Sequence, residues 1–186
     1  MSKTNGNSEN LECKVVSNVQ KSRTKARDYF WQFWSFFGLP YIWIGIGVVF
    51  LFLGFLFVFI LFFFVGASYL LTIFPLKLVF KRKRPGQKCE DVKFLVKVKS
   101  FSFPSGHTYT ATIFGLVLAI YFNNMPLLIC MLALGVMVAV SRLYLGAHFL
   151  SDVIIAYVLA IVVVIIIFTI FYPLVKISFL LIQRLF

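Results

Sequence analysis

Residues 30–80 are an almost unbroken run of Phe, Leu, Ile and Val, long enough for two helices at the roughly 20 residues that each needs to cross a hydrocarbon core. The turn between them is expected near residues 51–54, where no polar residue marks it, and Pro75 is expected to kink the end of the second span just before Lys77. Residues 81–104 then form a polar loop. A third span is expected from His107 to about Phe122, ended by Asn123 and Asn124; Pro126, at a first helical position, opens a fourth that reaches about Leu143. The fifth runs from about Leu150 to Phe171 and stops at Pro173. Residues 174–186 are apolar but short and carry Lys176 and Arg184, which suits an interfacial helix better than a sixth span. Trp31, Trp34, Tyr41 and Trp43 are placed to form an interfacial belt at the start, and Tyr109 and Tyr144 to pack at the membrane boundary.

The fold class is therefore all-α: a polytopic transmembrane helical bundle of about five to six spans. Composition agrees, because 61% apolar residues and a mean hydropathy of +0.97 exclude an ordinary soluble core. Residues 1–28 are polar, lack an apolar signal region and are expected to form a disordered basic cytosolic tail, with residues 29–186 as the membrane-embedded domain. The net charge of +12 gathers in that tail and between Lys77 and Lys99, which places both regions in the cytosol. It flanks spans without interleaved base-stacking aromatics, so no nucleic-acid partner is expected. Cys13, Cys89 and Cys130 suggest no disulfide or zinc framework by their spacing.

Threading five spans from a cytosolic tail brings the chain back to the starting side after the second and fourth. Three polar motifs then share one face: Lys77 with Arg84 and Pro85; Pro104, Ser105, Gly106 and His107; and Ser141 and Arg142 with His148 and Asp152. His107 and His148 are the only histidines. With a helix starting near His148, the i,i+4 spacing would set the Asp152 carboxylate beside the imidazole, holding one ring nitrogen and leaving the other free for attack.

In residue type and internal spacing these motifs resemble those of the type 2 phosphatidic acid phosphatase superfamily, the membrane lipid phosphatases related to vanadium haloperoxidases. The likeness spans Lys77 to Asp152. The short loop between the first two motifs looks most like the compact subgroup acting on presqualene and other polyisoprenoid diphosphates. The resemblance implies a single active site at one membrane face and a phosphorylated lipid as substrate. His148 would be the nucleophile that forms a phosphohistidine, Asp152 its orienting carboxylate and His107 the general acid. Lys77, Arg84, Ser105, Gly106 and Arg142 would bind the phosphate.

Physical chemistry supports those roles. A phosphoryl group in transfer spreads negative charge over its equatorial oxygens, so the catalyst must supply fixed cations and oriented donors. Lys77, Arg84 and Arg142 carry the charge, and guanidinium forks bind two oxygens each. Ser105 and Gly106 open a helix, whose free N–H groups favour an anion. Lys81, Arg82 and Lys83 read instead as a patch facing lipid headgroups.

Only one of the six carboxylates, Asp152, falls within the constellation, whereas Glu9, Glu12, Asp28, Glu90 and Asp91 lie outside it. A two-metal site needs several converging ligands, so no metal and no cofactor is expected. The function read here is a metal-independent membrane phosphohydrolase taking a terminal phosphate from an isoprenoid diphosphate or a lipid monophosphate. Alternatives are a phosphatidic acid or sphingoid-base phosphate phosphatase, a lipid phosphotransferase of the same fold, a non-catalytic membrane scaffold, and sugar-phosphate hydrolysis. The last is disfavoured by the scarcity of polar loop. Membrane lipids are the surrounding partner. The catalytic face is expected in the cytosol, at the endoplasmic reticulum in a eukaryote or the plasma membrane in a prokaryote.

Overall fold

The computed structural model describes residues 3–96 and 100–173, and within them the chain is helical without a strand. Helices α1 (Lys3–Gln20) and α2 (Lys25–Phe36) lead into α3 (Pro40–Phe52) and α4 (Leu56–Phe80), and a four-residue α5 (Pro85–Lys88) interrupts the polar loop. Then come α6 (Gly106–Tyr121), α7 (Met125–Tyr144) and α8 (Leu150–Ile166), which ends in a π-helical turn at Ile167–Phe171.

The breaks follow local chemistry. The α3–α4 turn centres on Gly54 at φ 84°, a left-handed conformation that glycine adopts without a Cβ penalty. It falls where the two spans in residues 30–80 are expected to part. Between α6 and α7, Asn123 is left-handed at φ 47° and Asn124 caps α7, its side chain accepting from the Leu127 N–H at 2.8 Å, with Pro126 in the first turn. Pro75 lies inside α4, which runs on to Phe80 before Lys81 turns left-handed at φ 44°.

Among the described residues, three stretches are long and apolar enough to cross a membrane, Leu56–Lys88, Met125–Tyr144 and Leu150–Ile170; α2 and α3, bent by 49° at their junction, make a fourth if counted as one broken span. The first expected span thus splits at Gly38, Leu39 and Pro40, where proline opens a new helix. The third, α6, has 16 residues, short of the roughly 20 needed to cross alone. It can be short because it is the centre of the bundle, packed against α3, α4, α7 and α8 and mostly buried. Trp43 of α3 stacks on Phe114 of α6 with centroids 5.7 Å apart, and Phe62 of α4 meets the same ring edge-on at 4.9 Å. Trp43 is therefore core and does not join an interfacial belt. Tyr109 and Tyr144 are buried too, bonded through their hydroxyls to Ser68 and Asp28. Residues 174–186, expected as an interfacial helix, lie outside the described residues.

The largest departure is the N-terminus. In place of a disordered tail, Lys3–Gln20 is helical and held against the bundle by contacts distant in sequence. Val16 is fully buried; the Gln20 side chain donates to the Lys93 and Tyr144 carbonyls and accepts from the Lys93 N–H. Cys13 is disulfide-bonded to Cys89, 76 positions away, although the spacing of the cysteines suggested no bridge. A polar segment with one buried apolar residue carries little periodic signal, so its order comes from these long-range bonds.

Candidate active site

The bundle alternates direction, so the end of α4, the start of α6, the end of α7 and the start of α8 meet at one end, and each brings a motif. Lys77, in the last turn of α4, is buried and donates from Nζ to the Phe101 carbonyl at 2.9 Å and the Pro104 carbonyl at 2.8 Å. This ties the first motif to the second. Ser105 caps α6, its hydroxyl accepting from the Thr108 N–H at 3.4 Å, while its own N–H donates to the Asp152 carbonyl at 3.0 Å and joins the second motif to the third. Gly106 opens α6 under close constraint: a Cβ there would lie 2.6 Å from the Tyr69 hydroxyl. His107 follows, packed against Gly38, where an added Cβ would come within 2.5 Å of the His107 Cβ. Its electrostatic neighbours are Arg142, His148, Arg84 and Lys77.

Arg84 leads into α5, and its guanidinium is spread over five acceptors. Nε donates to the Ser100 carbonyl at 2.8 Å, Nη2 to the Ser100 hydroxyl and the Phe101 carbonyl, and Nη1 to the Ala147 carbonyl at 2.7 Å and to His148 Nε2 at 3.1 Å. Arg142, in the last turn of α7, donates from Nη1 to the Ser35 hydroxyl of α2 at 2.6 Å, whereas its Nε is buried with no hydrogen-bond partner among the described residues. A buried guanidinium N–H without a partner is costly unless a ligand completes it.

His148 and Asp152 come close as expected, but by a different route. The helix starts at Leu150, so the histidine precedes it in the turn set by Gly146, left-handed at φ 66°, and its own N–H donates to the Arg142 carbonyl at 3.3 Å. Nδ1 lies 3.6 Å from Asp152 Oδ2, within ion-pair range and beyond hydrogen-bond length. Since Arg84 can only donate, Nε2 carries the lone pair and Nδ1 the proton. Burial pushes His148 down to about 3, against the opposing pull of Asp152, so the imidazole is neutral near pH 7.

Asp152 itself is fully buried and fully engaged. Oδ2 accepts from the Ser102 hydroxyl and, at 2.9 Å, from the Phe149 N–H, closing the first turn of α8; Oδ1 accepts from Arg82 Nη1 at 2.6 Å. Arg82, expected among headgroup-facing residues, points inward instead, with its guanidinium carbon 4.2 Å above the Phe149 ring and Nη2 bonded to Glu12 of α1. Lys81 and Lys83 remain exposed. No local pattern over residues 81–84 marked Arg82 as the residue that turns inward to Asp152. Glu12, Ser35, Tyr69, Ser100 and Ser102 were missed because no local pattern distinguishes them.

Residues 53–176 match the family described as the PAP2 superfamily. Phosphatidylglycerophosphatase B of Bacillus subtilis (strain 168) is 38% identical over 87 residues, covering 42% of this chain and 40% of that protein, so the match spans less than half of the relative. The crystal structure of Aquifex aeolicus LpxE superposes with a TM-score of 0.71 at 21% identity, covering 82% of this chain and 92% of the other. That of the first transmembrane PAP2 type phosphatidylglycerolphosphate phosphatase from Bacillus subtilis gives 0.72 at 22%, covering 86% and 83%. At such identities these two establish a common transmembrane helical fold.

Proposed function

Because this chain belongs to the PAP2 superfamily, we propose that it is a membrane lipid phosphatase that releases a terminal phosphate through a phosphohistidine. The carrying observation is the convergence of Lys77, Arg84, Arg142 and both histidines at one end of the bundle, with Arg142 Nε left to be completed by an oxyanion. His148 Nε2 attacks phosphorus as the bond to the leaving oxygen breaks. His107 gives that oxygen its proton. Water then attacks the phosphohistidine, yields a proton to His107, and releases phosphate with His148 neutral again. The incoming phosphate must draw Arg84 away from Nε2, so one guanidinium guards the nucleophile before binding and grips the oxyanion afterwards.

An apolar cavity of about 530 Å³ between α3, α4 and α6 supports a lipid substrate. Phe59, Phe62, Phe63 and Phe114 line it, and Tyr69, which also touches Gly106, links it to the phosphate site. A polyisoprenoid diphosphate is the preferred substrate, and a glycerophospholipid phosphate of the kind named for the Bacillus relative is the alternative. No metal is required in this reading, since the cations that a metal would replace are built from Lys77, Arg84 and Arg142. Phosphate release from detergent-solubilised lipid phosphates tests the proposal. Release from neither class would overturn it.

The basic residues around the site favour a cytosolic catalytic face. The Cys13–Cys89 bond favours a second reading, with this face in an oxidising compartment, because disulfides persist there and are rare in the cytosol. Labelling intact cells with an impermeant thiol reagent after mild reduction separates the two. Reaction at Cys89 without permeabilisation places the site outside, and reaction only after permeabilisation places it inside.

A further inference from the structure

Asp152 is 0% exposed, and its Oδ1 atom accepts from a charged donor outside the three motifs, Arg82. We infer that Arg82, set by Glu12, is a positioning residue for the Asp152–His148 pair, and that α1 is thereby part of the catalytic apparatus. The inference deepens the phosphatase reading and rests on it.

Two features of the geometry carry it. First, the Arg82 guanidinium is a bridge. Nη1 donates to Asp152 Oδ1 at 2.6 Å and to the Ser151 hydroxyl at 2.7 Å, Nη2 reaches the Glu12 carboxylate, and the plane rests on Phe149. Glu12 in turn accepts at Oε1 from the Ser151 hydroxyl at 2.6 Å and the Ser151 N–H at 3.4 Å. α1 therefore grips the first turn of α8 directly and through Arg82. A lysine could supply the charge, but as a point donor it would not span both carboxylates. Second, the charge is divided. With Arg82 neutralising Asp152 from the side away from the histidine, Lys77, Arg84 and Arg142 stay available to phosphate. A buried carboxylate stripped of its cation would turn toward one of them or take up a proton.

Arg82 touches no reacting atom in this arrangement, so its removal should act through Asp152. Residues that orient a ligand or base from behind typically contribute about 10- to 100-fold to activity. Arg82→Ala should lower kcat by that range with KM within about twofold of wild type, and Glu12→Ala, at a partly exposed helix position, should lower kcat in the same sense by less. The decisive arm is the Asp152→Asn background, in which Arg82→Ala should lower kcat by no more than about threefold further, because coupled residues are not additive. A raised KM with full multiplicative loss in that background would make Arg82 a headgroup contact and overturn the inference. So would unchanged kcat in both single variants. Should Arg82→Ala not fold, Glu12→Ala with and without Asp152→Asn makes the same comparison. If wild type releases phosphate from no lipid, the functional proposal fails first, and that outcome differs from an active wild type indifferent to Arg82 and Glu12.

Discussion

Arg84 Nη1 sits 3.1 Å from His148 Nε2 and holds the ring in the tautomer with its proton on Nδ1, toward Asp152. The nitrogen proposed as nucleophile is thus deprotonated and occupied before substrate arrives. Nitrogen NMR of labelled protein should show His148 neutral and protonated at Nδ1 at pH 5, where an ordinary histidine is mostly charged. His148→Ala should be inactive, since among the described residues no other side chain stands where the covalent intermediate forms. Acid-labile phosphate trapped on His107 would reverse the assignment of nucleophile and acid.

The same burial makes stability depend on acid. His148 titrates near 3 when folded against an ordinary value of 6.5, so the unfolded chain takes up this proton first. Its contribution is fully present above about pH 6.5 and is lost progressively as pH falls toward 3, with a slope of at most about 1.4 kcal/mol per unit. Between pH 7 and 4 the Tm of detergent-solubilised wild type should drop more than that of His148→Gln. Parallel drops would place the acid sensitivity elsewhere.

Excess EDTA should leave phosphate release within about twofold of the untreated rate, and vanadate, a phosphate mimic, should inhibit competitively. A magnesium requirement restored by add-back would replace the histidine mechanism with a metal one.

Substrate class should govern the importance of His107. A monoester expels an alkoxide that needs a proton, whereas a terminal diphosphate expels a phosphate, a far better leaving group. General acid catalysis contributes about 10²- to 10⁴-fold, and His107→Ala should lose a factor in that range on lipid monophosphates but distinctly less on isoprenoid diphosphates. Equal losses would mean that His107 chiefly binds phosphate.

Gly106 offers a test of the link between the site and the apolar cavity. Gly106→Ala puts a methyl 2.6 Å from the Tyr69 hydroxyl, closer than van der Waals contact allows. It should reduce kcat/KM by about tenfold or more, in line with the penalty for displacing catalytic groups, and Tyr69→Phe should recover part of the loss. Failure of that rescue would place the strain elsewhere.

The helix breaks and the meeting of the three motifs were legible because they rest on local signals, Asn123 and Asn124, Pro126, and apolar runs that fix how often the chain turns back. The split between α2 and α3 was also written, in Gly38, Leu39 and Pro40, but was hidden inside a continuous apolar run. Glu12 and Arg82 were not legible as partners. They meet across 70 positions, and Glu12 meets Ser151 across 139, so their pairing follows from the finished packing. No periodicity in either segment encodes it.

The bond between Cys13 and Cys89 also records parity. Two thiols can pair only within one compartment, and α3 and α4 lie between them, so the intervening chain must cross the bilayer an even number of times. A molecule in which α3 stayed out while α4 inserted would leave its sulfurs on opposite sides and unpaired. The mobility difference between reduced and unreduced protein on a denaturing gel would then report whether α3 and α4 went into the bilayer together or one without the other, without reference to hydropathy.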